Sequence, residues 1–230
     1  FKTLNQIYRF KIEEYKEHAL NRFNIFPESI PSWVFNWLSD DDGYFAGNVG
    51  PSRMDFRFFT AGNLLMIINS LADKKQAGAI LTLLQNREKE LMGEMPLKIC
   101  YPALTGKEWR LITGHDPKNT AWSYHNGGSW PSLIWYLAVA SVKTGRTGHL
   151  GEMIELAERR LSRDNYPEYY DGIHNKLVGK EARRRQTWSI AGYIIAKTLL
   201  NEPQKSEILT FDESPEIQSC AENSCKELDY

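Results

Sequence analysis

Two stretches of the sequence decide the fold class. SWPSLIWYLAVASVK (residues 129–143) and RRRQTWSIAGYIIAKTLL (residues 183–200) are long enough to form helices, and both are apolar on most sides. A helix of this kind is buried on both flanks, because only packing on several sides removes all of its apolar surface from water. The two stretches therefore predict a helical protein with two inner helices.

The remaining apolar pattern is also helical and is interrupted by loops rich in Gly, Pro and Trp. It predicts helices over residues 4–23, 55–71, 74–91 and 150–162, the last two with one polar face. Buried helices that alternate with half-exposed ones indicate two concentric layers, as in an α/α toroid. Ser129 is the predicted N-cap of the helix that follows it, with Pro131 in its first turn. Short hairpins are expected near residues 43–50 and 166–178.

Composition excludes several classes of protein. The chain is 42% hydrophobic and 25% charged, values that rule out a disordered, collagen-like or coiled-coil chain. There is no apolar run of eighteen residues, so we expect no membrane partner. The basic residues form no dense stripe, so we expect no nucleic-acid partner. Three Cys without zinc-type spacing predict neither a disulfide framework nor a metal site, and no cofactor is expected.

The charge divides the chain into a body and a tail. The net charge is −1 overall, but residues 202–230 carry eight acidic residues and two Lys. We therefore predict a body over residues 1–202 and a flexible acidic tail over residues 203–230. Because the sequence opens in a helical pattern without Met, we expect it to be a fragment of a longer polypeptide. Its odd number of Cys favours a reducing, cytoplasmic compartment.

The chemistry is expected in three loop segments, residues 41–48, 119–131 and 166–172. They combine aromatic rings with carboxylates, amides and Gly. Such a combination suits a sugar, whose apolar ring face stacks on Trp or Tyr while its hydroxyls need several donors and acceptors. The alternative is that these loops only close the ends of a helical barrel.

Hydrolysis of a glycosidic bond needs two carboxyl groups, one that protonates the leaving oxygen and one that activates water or attacks the sugar. Glu168, between Tyr166 and Tyr169, is the best candidate for one of them. An Arg from the basic run 180–185 could keep its carboxylate ionised. Asp171 competes for the same role, and spacing alone does not choose between the two.

Three motifs resemble those of the plant and cyanobacterial neutral/alkaline invertases, glycoside hydrolase family 100. They are GYFAGNVGPSRMDFR (residues 43–57), NTAWSYHNGGSWPSLIW (119–135), and PEYYDG (167–172) followed by GKEARRRQTW (179–188). The similarity runs from about residue 4 to about residue 211. It implies an (α/α)6 barrel, here the C-terminal part of it, that hydrolyses sucrose to glucose and fructose with inversion.

The resemblance also implies roles for individual residues. Glu168 corresponds to the family's general base, which activates water against the glucosyl anomeric carbon. Sugar contacts are expected at six further positions: Trp122, Tyr124, His125, Asn126, Arg184 and Gln186. At Arg184 the run of three Arg leaves its neighbours open as alternatives.

One part of the family's catalytic pair has no counterpart in the sequence. The general acid of the family is an Asp in its N-terminal half, upstream of the matched motifs. We therefore expect an isolated chain to be inactive or poorly soluble. The alternative function is a truncated, catalytically silent sugar-binding or interaction protein. A homo-oligomer is possible, and a plastid or mitochondrial form is an alternative to a cytoplasmic one.

Overall fold

The computed structural model describes residues 9–10, 31–50 and 53–211, and most of these residues are helical. The helices in this part of the chain are α1 (Ser32–Trp37), α2 (Thr60–Ile68), α3 (Lys74–Asn86), α4 (Glu88–Leu91), α5 (Gly106–Thr113), α6 (Ile134–Thr144), α7 (Leu150–Arg163) and α8 (Thr187–Asn201). The 3-10 helices are Pro117–Asn119, Pro131–Leu133 and Pro203–Leu209. The all-α prediction is confirmed.

Three short antiparallel pairs accompany the helices. β1 (Arg9–Phe10) pairs with β2 (Tyr44–Phe45), β3 (Asn48–Gly50) with β4 (Arg53–Asp55), and β5 (Phe58–Phe59) with β6 (Cys100–Tyr101). An isolated bridge also joins Tyr170 to Val178. Hairpin pairing therefore occurs in both of the loop regions where the sequence predicts it.

Helix α6 is the centre of the core. It packs against α2, α3, α7 and α8, and its residues Leu137, Ala138 and Val139 are fully or almost fully buried. Burial on several sides is the predicted state of this helix. Helix α8 differs, because Trp188 is 49% exposed and Ile194 is 55% exposed. The described helices do not close into a barrel, and none of them is long and apolar enough to cross a membrane.

Several predicted boundaries are wrong, in two cases because backbone pairing takes residues that the apolar pattern assigns to helices. The helix predicted from residue 55 begins at Thr60, since β4 and β5 occupy the residues before it. The helix predicted over 74–91 breaks at Arg87 into α3 and α4. Ser129 is not an N-cap, because its backbone N–H and C=O both bond to Tyr170. Pro131 does lie in the first turn of its 3-10 helix.

The structure describes only part of each end of the chain. The helix predicted over residues 4–23 lies outside the described residues, apart from Arg9–Phe10, which form β1. The tail predicted from residue 203 begins instead with the 3-10 helix Pro203–Leu209, which packs against α6 and α8. Phe211 extends this contact, since its N–H donates to the Ile68 carbonyl. The rest of the tail lies outside the described residues.

Candidate active site

A cleft of about 420 Å³ lies between two loops, within the range of about 300–1,000 Å³ that small-molecule sites occupy. The first, the amide loop, covers residues 114–130 and leads into α6. The second, the glutamate loop, covers residues 164–186 and leads into α8. The residues that line the cleft are Lys118, Tyr124, Glu168, Arg183, Gln186 and Trp188.

The amide loop begins with a capped turn that places Lys118 on the cleft wall. Asp116 precedes the 3-10 helix Pro117–Asn119, and its Oδ1 accepts from the Lys118 N–H at 2.9 Å. Its Oδ2 accepts from the Asn119 side-chain amide at 2.6 Å. The Lys118 N–H, followed by the Asn119 amide, lowers the pKa of Asp116. Asp116 therefore acts as a turn-forming carboxylate, which is the usual role of an Asp at this position.

The centre of the amide loop is fixed by the Asn126 side chain. Its Oδ1 accepts from the Leu104 N–H at 2.7 Å, and its Nδ2 donates to the carbonyls of Leu104 and Asn119 at 3.0 and 3.1 Å. Asn126 is 3% exposed, so these bonds satisfy an amide that would otherwise be costly to bury. The structure thus places this predicted sugar-contacting amide inside the loop.

Tyr124 is the aromatic platform of the amide loop. His125 stacks on its ring at a centroid distance of 4.0 Å, and Trp130 and Tyr169 contact it at 5.1 and 5.4 Å. The Trp130 indole N–H donates to the Tyr124 carbonyl at 3.0 Å. Trp188 meets Trp130 edge to face at 5.5 Å. The aromatic residues of both loops therefore form one cluster beside the cleft.

The glutamate loop is held by backbone hydrogen bonds. The Glu168 N–H donates to the Arg183 carbonyl at 2.7 Å, and the Gln186 N–H donates to the Tyr166 carbonyl at 2.9 Å. These bonds bring together residues that lie fifteen to twenty positions apart in the sequence. As a result, the side chains of Glu168, Arg183 and Gln186 line one cleft.

The two loops touch at a glycine. The Gly172 N–H donates to the Trp122 carbonyl at 2.7 Å. A Cβ at residue 172 would lie 1.8 Å from the Gly127 carbonyl oxygen, a distance at which backbone atoms must move apart. Gly172 is therefore required for the close approach of the glutamate loop to the amide loop.

Glu168 is buried on the cleft wall and has polar neighbours on one side. It is 6% exposed. Its Oε2 lies 3.4 Å from the Arg183 backbone N, which donates to it, and 3.6 Å from the Lys118 Nζ. Among the described residues, Glu168 is the single carboxylate that lines the cleft.

Asp171, the competing carboxylate, has a structural role in the loop. Its Oδ1 accepts from the N–H groups of Ile173 and His174, and its Oδ2 accepts from the Leu177 N–H at 2.8 Å. A carboxylate with both oxygens bonded to its own loop is poorly placed to take a proton from a substrate water. The geometry therefore favours Glu168 over Asp171.

The remaining predicted residues lie at different distances from the cleft. Tyr124 and Gln186 line it, whereas Trp122, His125, Asn126 and Arg184 are outside the set of lining residues. The Trp122 ring packs near Tyr101 at 5.8 Å. All three Arg of the run are exposed, and of these Arg183 lines the cleft.

Sequence reasoning missed two of the lining residues. Lys118 is polar, lies in a Pro-containing turn and has no motif of its own, so its position depends on the Asp116 cap. Trp188 was assigned to a buried helix face, but it lies at the exposed start of α8. Its aromatic character and its place at the end of the motif GKEARRRQTW (residues 179–188) are the available signals.

His125 is a neutral ring beside the site at pH 7. Partial burial lowers its pKa, and the nearby charge of Glu168 offsets only part of this effect. A neutral imidazole can donate or accept a hydrogen bond, but it is a weak proton source at neutral pH. Within the described residues there is no cluster of His, Cys, Asp or Glu that could hold a metal ion.

The chain matches a known protein family over most of its length. The model of the family described as alkaline and neutral invertase matches residues 1–203, which include both loops of the cleft. The chain belongs to this family. Membership places the glutamate loop and the amide loop of the chain in a family of glycoside hydrolases.

Curated invertases match the chain over nearly its whole length. Cytosolic invertase 1 of Oryza sativa subsp. japonica is 52% identical over 97% of the chain and 40% of that protein. Alkaline/neutral invertase CINV1 of Arabidopsis thaliana is 56% identical over 92% of the chain and 38% of that protein. The mitochondrial neutral/alkaline invertase 1 of rice is 52% identical over 96% of the chain. The chain thus spans 35–40% of the length of these relatives.

The names of the relatives place them in different cellular compartments. Their names cover cytosolic, chloroplastic and mitochondrial invertases, so membership of the family does not fix a compartment.

Among solved structures, the GH63 mannosylglycerate hydrolase of Thermus thermophilus aligns with 85% of the chain and 43% of its own length. The identity is 13% and the TM-score is 0.42, values too low for an argument on fold or substrate.

Proposed function

We propose that this invertase chain supplies the general base and one wall of the substrate site for the hydrolysis of sucrose to glucose and fructose with inversion. The observation that carries the proposal is the buried Glu168 carboxylate on an aromatic cleft. The names of the relatives support a sucrose-cleaving activity, and the cleft has the size and polarity of a sugar site.

The reaction divides the work between two carboxyl groups. Glu168 takes a proton from a water molecule, whose oxygen attacks the glucosyl anomeric carbon from the face opposite the fructosyl oxygen. The glycosidic C–O bond breaks, and a carboxylic acid outside the described cleft protonates the departing fructosyl oxygen. Attack from the opposite face converts the α-glucosyl unit into β-glucose, which is the outcome of an inverting mechanism.

The other lining residues have roles that follow from their chemistry. Trp188, which is 49% exposed, offers a ring face on which the apolar side of a pyranose can stack, and Tyr124 offers its hydroxyl. Arg183 and Gln186 offer donors to sugar hydroxyls, and Gln186 also offers an acceptor. Trp122, His125, Asn126 and Arg184 remain candidates for sugar contact, with Asn126 acting through the shape of the amide loop. The proposal needs neither a metal nor a cofactor.

The test uses a substrate that does not depend on the acid. Fluoride leaves α-glucosyl fluoride without protonation, so the base alone supports its hydrolysis. We expect the purified chain to release β-glucose from this substrate, detected by proton NMR before mutarotation. Glu168→Gln should lose about 100- to 10,000-fold of the rate, the range for removal of a general acid or base. Sucrose itself should be cleaved far more slowly, because its fructosyl oxygen must be protonated.

The matched control is Glu181→Gln, the same change at an exposed carboxylate in the glutamate loop, which should keep the wild-type rate. Release of α-glucose, or an equal rate in Glu168→Gln, would contradict the assigned role. If the folded chain binds glucose or sucrose but hydrolyses neither substrate, the proposal fails and the silent sugar-binding function takes its place.

A further inference from the structure

Lys118 lies beside Glu168 and has no role in the hydrolysis as proposed. Its ammonium group lies 3.6 Å from the Glu168 Oε2 and 4.0 Å from the centre of the Tyr124 ring. It also lies 5.9 Å from the centre of the Tyr169 ring. The ammonium is thus held between a carboxylate and the faces of two aromatic rings, an arrangement that favours a cation.

The contacts of Glu168 are unequal at its two oxygens. The Arg183 backbone N–H and the Lys118 ammonium both approach Oε2. Within the described part of the chain, no group donates a hydrogen bond to Oε1. The carboxylate is therefore fixed through one oxygen, and the other can accept a proton.

We propose that Lys118 is a positioning residue that, with the Arg183 backbone, holds Glu168 through Oε2 and leaves Oε1 to take the proton from the attacking water. This inference rests on the proposed role of Glu168 as the base. A base must be held in reach of the proton that it abstracts, and a displacement of about 1 Å can cost 100-fold in rate.

The local structure explains why Lys118, and not the run of three Arg, serves this purpose. In the described residues, the ion pair of Glu168 is with Lys118. Arg184 and Arg185 are exposed, and the glutamate loop approaches Glu168 through the Arg183 backbone rather than through a guanidinium. The Asp116 cap fixes the Lys118 backbone beside the cleft, because the Asp116 Oδ1 accepts from the Lys118 N–H.

The experiment compares variants of Lys118 in the hydrolysis of α-glucosyl fluoride by the whole chain. In Lys118→Met the side chain keeps its length and its packing on Tyr124 but loses the charge. We expect kcat to fall about 10- to 100-fold, the loss that a displaced catalytic group causes, with KM changed less than about threefold. Lys118→Arg restores a cation at this place and should recover part of the lost kcat.

Two controls separate positioning from stability. Lys107→Met changes an exposed Lys of α5 in the same way and should leave kcat and KM unchanged. The midpoints of thermal unfolding show whether Lys118→Met remains folded. An unchanged kcat in Lys118→Met, or no recovery in a folded Lys118→Arg variant, would overturn the inference.

Failure of the inference can be told from failure of the proposed function. If Glu168→Gln is inactive while Lys118→Met keeps the wild-type rate, Glu168 is the base and Lys118 does not position it. If Glu168→Gln keeps the wild-type rate, the proposed function fails first and the inference fails with it. Loss of kcat in both variants, with partial recovery in Lys118→Arg, supports both.

Discussion

The two loops that form the cleft are stabilised in different ways. In the amide loop, side chains bond to the backbone: Asp116 caps the turn, and Asn126 joins Leu104 to Asn119. In the glutamate loop, backbone-to-backbone bonds join distant positions, as between Glu168 and Arg183, and the Asp171 side chain adds bonds within the loop. The amide loop therefore depends on the side chains of Asp116 and Asn126, whereas the side chains of Arg183 and Gln186 take no part in the hydrogen bonds described for the glutamate loop.

This difference explains why a motif residue is better evidence for function in one loop than in the other. Residues of the amide loop look functional because they are polar and aromatic, yet Asn126 is used by the loop itself. In the glutamate loop, the Glu168 carboxylate accepts one backbone N–H, whereas the side chains of Arg183 and Gln186 on the wall take no part in the bonds that hold the loop. A polar residue in a loop motif is therefore better evidence for a substrate contact where the loop is stabilised by its backbone.

The largest expected effect on the free energy of unfolding comes from a substitution at the contact between the two loops. Gly172→Ala places a Cβ 1.8 Å from the Gly127 carbonyl oxygen, so one loop must move. We expect a loss of about 3 kcal/mol in the free energy of unfolding, measured by urea denaturation, the upper part of the usual range for overpacking. Gly78→Ala, in α3 with no atom near the added Cβ, should instead stabilise the chain by about 0.5–1 kcal/mol. Equal effects would show that the loops do not meet here.

The second prediction tests the side-chain bonds of the amide loop. Asn126→Ala leaves the N–H and C=O of Leu104 without partners, and a buried unpaired group costs about 1–3 kcal/mol. We expect the free energy of unfolding to fall by about 2–3 kcal/mol. Asn36→Ala, at an exposed position of α1, should change it by less than about 0.5 kcal/mol. A mild effect at Asn126 would mean that the backbone bonds of the loop are sufficient to hold it.

The smallest expected effect is the dependence of stability on pH that arises from His125. Because the pKa of His125 is lowered in the folded chain, the unfolded chain binds a proton more readily. The stability from the neutral ring is therefore complete above the ordinary pKa of His, near 6.5, and is lost as the pH falls towards the lower folded value. His125→Phe keeps a ring on Tyr124 but cannot bind a proton. Its thermal midpoint should fall less than that of the wild type between about pH 7.5 and about pH 5.5, and an equal fall would contradict the assignment.

Helix periodicity predicted much of the fold, but not where helices stop. The central helix α6 and the amphipathic helix α7 lie where the apolar pattern places them, because burial requires that pattern. Helix α1 was not predicted, since six residues carry too little periodicity, and α5 was missed although it has one apolar side. The early start predicted for α2 arises because residues in and between the strands, such as Phe56 and Phe59, continue the apolar spacing, whereas the early start predicted for α8 takes in the polar run RRRQ (residues 183–186), which belongs to the loop.

The sequence by itself determined the helical class, the family and the choice of Glu168 as a candidate base, because these depend on periodicity and on long motifs. Only the tertiary structure shows that both Asp171 oxygens are bonded within their own loop, that Arg183 lines the cleft and that Lys118 lies beside the Glu168 carboxylate. The physical reason is that the spacing of residues along the chain does not show which carboxylate oxygens already accept hydrogen bonds in the folded protein. Lys118 and Glu168 lie fifty positions apart in the sequence and meet through an Asp cap, a glycine contact and backbone bonds between loops.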